Sequence, residues 1–228
     1  MELGIILTPS ARSKAYIQKI LKNKFSLSEI IFLNDGKIEP DFEQEEIFES
    51  NRNGFDISES VLSTLEKNNL SFKEFDFIDI NNQELVNFIA KSNSDFFIFS
   101  GGGILKDSIL NTDKKFIHFH PGIVPQYRGS TCFYYSILIE NQCGVTAYFM
   151  DKNIDTGKII FQKFFEPPNH KFLDNVYDSF IRSETLIEVL KNNLLKSDNF
   201  NEQPIEGKTY HIIHPVLKHI AILSCIND

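Results

Sequence analysis

Several things are scarce in this sequence, and each scarcity excludes something. No run of apolar residues approaches the ~20 needed to span a bilayer, so no membrane segment is expected. Met1-Glu2-Leu3-Gly4 lacks a basic region followed by an apolar one, so no secretory signal is read. Basic blocks are missing as well, and the net charge is -8 over 228 residues. Nucleic acid, tRNA included, is therefore not an expected partner, because phosphate backbones are gripped by clustered Lys and Arg. There are three cysteines, Cys132, Cys143 and Cys225. An odd count without tight spacing fits reduced thiols and a cytoplasmic setting better than a disulfide framework. Trp is absent and Phe numbers 22, a bias to which no function attaches. No internal repeat is evident.

What is present alternates between strand and helix signals. Gly4-Ile5-Ile6-Leu7 predicts a strand, Thr8 to Ser13 a polar loop, and about Lys14 to Leu21 a helix. Free N–H groups at a helix start attract anions. Ser10 and Arg12 are therefore candidate substrate-binding residues; the competing reading is a plain capped turn, since no glycine fingerprint is present. Glu29 to Leu33 reads as the second strand, and acidic Asn34 to Asn53 as a solvated loop. Ser58 to Lys67 has helical spacing, Phe72 to Ile80 reads as a third strand, and Asn81-Asn82-Gln83-Glu84 opens a helix running to about Lys91. Phe96-Phe97-Ile98-Phe99 suits a strand buried on both faces. Ser100-Gly101-Gly102-Gly103 then allows either a close approach to a ligand or simply a flexible turn. Beyond a short helix at Lys106 to Leu110 and a strand at Phe116, a helix is expected over Thr131–Glu140 and strands over Gly144–Met150 and Lys158–Phe165. Pro167-Pro168 suggests a boundary between units 1–166 and 167–228. A 3.6-residue period runs from Leu173 to about Leu195, and Thr209 to Leu217 gives a last short strand and turn. The expectation is an α/β fold: a doubly wound, mostly parallel Rossmann-like sheet with a short helical C-terminal appendage. A homodimer through that appendage is left open.

The chemistry gathers in Phe116-Ile117-His118-Phe119-His120-Pro121-Gly122-Ile123-Val124-Pro125-Gln126-Tyr127-Arg128-Gly129. Alternate residues of a strand face one side. His118 and His120 should therefore point together, near the carboxyl end of a strand, where open α/β sheets place ligands. Two imidazoles there could do acid–base work or bind metal.

Further along come Gly144-Val145-Thr146 and Asp151-x-x-x-Asp155-x-Gly157-x-Ile159-Ile160. Together with His118-x-His120-Pro121-Gly122, Pro125 and Arg128-Gly129, these resemble the folate-dependent formyltransferases. That family comprises glycinamide ribonucleotide, methionyl-tRNA and sugar N-formyltransferases. Its pattern is Asn-x-His-Pro-Ser-Leu-Leu-Pro-x-x-x-Gly, then Gly-Val-Thr-x-His, then Asp-x-Gly-x-Ile-Ile. The resemblance covers roughly residues 95–165. It implies N10-formyltetrahydrofolate as co-substrate, no metal, and an acceptor amine that loses a proton as the folate nitrogen gains one. It further implies His120 as the catalytic histidine and Asp155 as the catalytic aspartate. His118 stands at the asparagine position, where its N–H could serve the oxyanion. Tyr148 replaces the histidine of Gly-Val-Thr-x-His and is assigned to substrate, and Gly122 replaces the serine, a change expected to affect only the turn. The folate pocket would use Gly102, Gly103, Ile104 and Leu105 on one side and Asp151 and Ile154 on the other. The acidic charge, the short tail and the glycine run favour the sugar-modifying branch, with an amino sugar or nucleotide-linked amino sugar of surface glycans as acceptor. Two alternatives are a folate- or nucleotide-sugar-binding homologue without catalysis, and a metal-dependent hydrolase using His118, His120 and Asp155.

Overall fold

The computed structural model describes residues 2–36, 40–197, 200–204 and 206–226. Strand β1 (Leu3–Leu7) is buried along its whole length and lies between β2 (Glu29–Leu33) and β4 (Phe96–Phe99). With β3 (Lys73–Phe75), β5 (Lys115–His120), β7 (Cys143–Phe149) and β8 (Ile159–Phe165), it forms one seven-stranded sheet in the order β3-β2-β1-β4-β5-β7-β8. The sheet is parallel from β3 through β5; β7 runs antiparallel to β5, and β8 antiparallel to β7. This is the expected mostly parallel α/β architecture. Its register sets His118 opposite Tyr148 and His120 opposite Thr146.

The two sheet faces carry separate apolar layers. Helix α1 (Ala11–Lys22) presents Tyr16, Ile17 and Ile20, and α7 (Asp178–Lys191) presents Ile181, Leu186 and Val189, against Ile5, Ile98, Ile117 and Phe119. On the other face α4 (Gln83–Lys91) brings Leu85, Val86 and Ile89, and α5 (Asp107–Leu110) brings Ile109, against Ile6, Phe97, Phe99 and Phe116. The strand alternation therefore puts His118 and His120 on the Phe116 side and Phe119 on the α1/α7 side. Side-chain caps close three helices: Ser10, Ser60 and Asn82 accept N–H bonds at the starts of α1, α3 (Val61–Lys67) and α4. Helix α7 lies C-terminal to the Pro pair yet packs into the same core as α1. Its Asp178–Arg182 pair, 2.8 Å apart, is buried on both sides, so losing one partner would cost about 3–5 kcal/mol.

Three segments differ from the sequence expectation. Within 34–53, Gln44–Arg52 is helix α2, while residues 37–39 lie outside the described residues. This helix buries only Glu46 and Ser50, with Ile47 packed against Ala15, Phe55 and Val176, so its apolar stripe is too thin to show as a period. Only Lys73–Phe75 of 72–80 pairs with β2. After β9 (Thr209–Tyr210), Pro215 begins helix α8 (Pro215–Cys225) instead of ending a turn; proline needs no N–H partner in a first turn. Helix α8 packs Ala221 and Cys225 in the core near α6 (Cys132–Glu140). Among the described residues no helix is long and apolar enough to cross a membrane.

Residues 201–204 and 206–213 form a strap that runs from β8 to the loop after β5. Asn201 bridges to Ile159, and β9 pairs in parallel with β6 (Arg128–Gly129). Arg128 donates to Gln203 Oε1 at 3.1 and 2.9 Å and to the Pro204 carbonyl at 2.8 Å, while Gln203 Nε2 donates to the Gly157 carbonyl at 2.7 Å.

Candidate active site

Strand β5 ends at His120, whose side chain is 3% exposed. Its Nε2 lies 2.7 Å from the Tyr127 carbonyl and its Nδ1 lies 3.3 Å from Asp155 Oδ2. A carbonyl can only accept, so Nε2 carries a hydrogen in every charge state. The proton that comes and goes is the one on Nδ1, facing Asp155. Burial pulls the His120 imidazolium below its ordinary value and the Asp155 carboxylate opposes that pull.

Asp155 is fixed from three directions. Oδ2 also accepts from the Gly129 N–H at 2.6 Å, and Oδ1 from the Tyr148 hydroxyl at 2.6 Å. Burial, and then Asp155 itself, raises Tyr148 well above its ordinary value, so the phenol stays protonated and donates. Asp155 adopts φ +54°, a left-handed conformation that Asp tolerates better than most residues. Asp151 shapes the preceding turn by accepting from the Asn153 N–H at 2.9 Å and the Thr156 hydroxyl at 2.8 Å.

His118 sits beside this array, partly exposed. Its ring is 5.9 Å from that of Tyr148, edge to face, and its Nδ1 is 3.3 Å from the Phe99 carbonyl. Burial, then Arg182 and Arg12, holds its pKa well below the ordinary histidine value. Arg182 donates to the Phe119 carbonyl at 2.9 Å from the opposite sheet face. Arg12 donates to the Ser100 and Gly101 carbonyls at 2.9 and 3.2 Å, and its own pKa is lowered by burial and by Arg182.

The structure thus brings His118, His120, Tyr148 and Asp155 together. Tyr148 stands behind Asp155, with its hydroxyl committed to that carboxylate. Ser10 caps α1 and lies among the Thr8 and Ser13 hydroxyls, 3.2 and 3.0 Å away. A Cβ at Gly102 would meet nothing within 4 Å and one at Gly103 only Ile80 Cγ2 at 4.0 Å, and Ile104 (53% exposed) and Ile154 (46%) are uncovered apolar side chains on their two loops. The Leu105 side chain is core, leaving only its backbone for a ligand. The Ile104 carbonyl accepts from Asn81 at 3.0 Å. Met150 packs on the cluster containing Leu105 and Phe99, so both loops rest on one apolar floor. A cleft of about 640 Å³ adjoins the second loop, lined by Phe96, Lys115, Phe149, Asp151, Lys158 and Phe200 among others. Among the described residues no three His, Cys, Asp or Glu side chains converge as a metal-binding group.

The sequence reading gave no role to Tyr127, Arg182 or Gln203 and took Gly129 only as part of the motif. Tyr127 and Gly129 act through their backbones, which leave no residue-type signal. Asp178–Arg182 has the i,i+4 spacing of an ordinary surface pair, and only the fold buries it.

Residues 52–190 match the formyl transferase family, in its N-terminal domain form. A methionyl-tRNA formyltransferase of Finegoldia magna is 28% identical over 142 residues, 58% of this chain and 46% of that protein. The chain spans under half the length of the curated methionyl-tRNA formyltransferases it matches. Among solved structures, a sugar N-formyltransferase of a Shewanella species superposes with a TM-score of 0.60 at 17% identity, over 99% of this chain and 88% of that one. An N-formyltransferase of Helicobacter canadensis, in complex with folinic acid and dTDP-3-aminofucose, gives 0.61 at 17% identity, over 92% and 71%. These structural likenesses bear on the fold, and the match over residues 52–190 decides the family: the chain belongs to the formyl transferases.

Proposed function

We propose that the protein, in the cytoplasm, transfers a formyl group from N10-formyltetrahydrofolate to the amine of a small substrate, an amino sugar or nucleotide-linked amino sugar of surface-glycan biosynthesis. The observation that carries this is the Tyr127–His120–Asp155–Tyr148 array at the carboxyl end of β5, in a chain of this family. The formylfolate is a substrate here. The glycine loop Gly102–Gly103, open to approach, and the exposed Ile104 and Ile154 suit a flat, largely apolar donor held by backbone. Asp155 and His120 then share one proton at Nδ1, a charge pair set beside the place where the tetrahedral adduct forms. The acceptor class is supported by the acidic charge and by the aminosugar nucleotide held by the Helicobacter neighbour.

The test incubates the protein with N10-formyltetrahydrofolate and a panel of amino-sugar nucleotides and free amino sugars, following tetrahydrofolate by absorbance and the products by mass. One acceptor should gain a formyl group. Asp155→Asn keeps the left-handed backbone accessible and should lower turnover by about 10²–10⁴-fold with unchanged circular dichroism. Failure of formylfolate to bind at all would overturn the reading.

A further inference from the structure

Position 118 carries a histidine where the family carries an asparagine, and its surroundings fix what that histidine can do. Its Nδ1 is in hydrogen-bonding geometry with the Phe99 carbonyl. A carbonyl offers no proton, so Nδ1 must supply it. In the neutral ring the other nitrogen, Nε2, is then bare and can only accept. Among the described residues the protein gives Nε2 no hydrogen-bond partner, whereas both nitrogens of His120 are engaged. His118 is partly exposed on the same strand face as His120. An asparagine amide in this place would present a donor; this ring presents a lone pair.

We propose that His118 is the base that takes the acceptor amine's proton through Nε2, and is not a donor standing in for the family's asparagine. The inference rests on the formyl-transfer reading. As the amine nitrogen bonds to the formyl carbon, the carbonyl electron pair moves onto oxygen, and the surplus N–H proton passes to His118 Nε2. The ring is now an imidazolium whose Nε2–H can donate to that oxyanion. On collapse the C=O re-forms, the C–N10 bond breaks, and N10 takes the proton from Nε2. The products are the formamide and tetrahydrofolate, and His118 is neutral again.

The groups around the ring keep it neutral at rest. Arg12 from α1 and Arg182 from α7 are cationic, and His120 shares its strand. Tyr148 across the β5–β7 pair is a protonated phenol. The one carboxylate in the array, Asp155, is bound to His120, Tyr148 and Gly129. A weak base suffices, because the nitrogen of the tetrahedral adduct is far more acidic than the free amine. A weak base also returns its proton readily to N10.

Two measurements decide the matter. Nitrogen-15 NMR of the histidine-labelled chain, with His118 assigned by difference from His118→Asn, reads the tautomer without substrate. A protonated Nδ1 and bare Nε2 at pH 7.5 are expected; a protonated Nε2 would overturn the proposal. In turnover, His118→Asn should lose about 10²–10³-fold in kcat while binding the unreactive 5-formyltetrahydrofolate within about 3-fold of wild type, RT ln 3 being well under 1 kcal/mol. His118→Ala should regain activity with added imidazole in proportion to its neutral form. Equal rates for His118→Asn and wild type, or rescue that follows imidazolium, would defeat the proposal alone. A wild type that releases no tetrahydrofolate with any acceptor would defeat the functional reading, and this one with it.

Discussion

A methyl group on residue 122 would sit 2.6 Å from the Tyr127 carbonyl oxygen, 2.7 Å from His120 Nε2 and 2.9 Å from Cys132 Cβ. Gly122 is therefore what lets the His120 ring lie against the Tyr127 carbonyl. Its effect reaches past the turn to the ring that carries the mobile proton, which the sequence expectation did not foresee. Gly122→Ala should lower the melting temperature, corresponding to about 1–3 kcal/mol of overpacking, and reduce kcat at least about tenfold because His120 must rotate off its acceptor. Unchanged kcat with a lowered melting temperature would separate the packing from the chemistry. At this scale the site was half legible. His118, His120, Asp155 and Tyr148 announce themselves as residue types at family spacing. The Tyr127 carbonyl and the Gly129 N–H belong to the backbone, and a close approach such as that at Gly122 exists only once chain and chain have met. Arg182 was hidden because a buried i,i+4 ion pair and a surface one read alike.

Elements that bury an all-apolar strand or cap a helix with a side chain were readable almost residue by residue: β2, β4 and α4 fall where their patterns put them. Elements held by long-range polar contacts were not. The strap has no periodicity, and two of its residues form β9 only because Arg128–Gly129 offers them an edge. Gln203 is the joint of this strap, linking Arg128 to the Gly157 carbonyl, one loop on each side of Asp155. Gln203→Ala strips both contacts and should destabilise by about 1–3 kcal/mol, seen in chemical denaturation. It should also lower kcat more than it weakens 5-formyltetrahydrofolate binding, since the Asp155 partner Gly129 adjoins Arg128. Weakened binding with intact kcat would show that the joint serves the ligand and not the carboxylate.

Over the whole molecule, enclosed histidines tie stability to pH, and burial lowers His170 as well as the two at the site. His118 and His120 both titrate below the ordinary histidine value in the folded chain, chiefly through burial. The unfolded chain takes up those protons near pH 6.5 while the folded chain still resists them. In that window the unfolded state holds more protons, so stability rises with pH. It is retained in full above about 6.5 and is lost progressively as pH falls towards the folded values. Urea midpoints should therefore drop from pH 7.5 to pH 5, and His118→Asn should flatten the slope; a slope unchanged in that variant would contradict the enclosure of His118. The Pro pair at 167–168 suggested a division of the chain, yet α7 beyond it shares the core of α1, because proline marks where a backbone bends and says nothing of what the next helix packs on. The strap carries one more consequence, for synthesis. A ribosome delivers Asp155 well before Gln203 and Tyr210, so the loops around the carboxylate emerge without their clamp. The sheet can assemble on the nascent chain, but the loops that carry Gly129 and Gly157 gain their last contacts only when Gln203 and Tyr210 have cleared the exit tunnel.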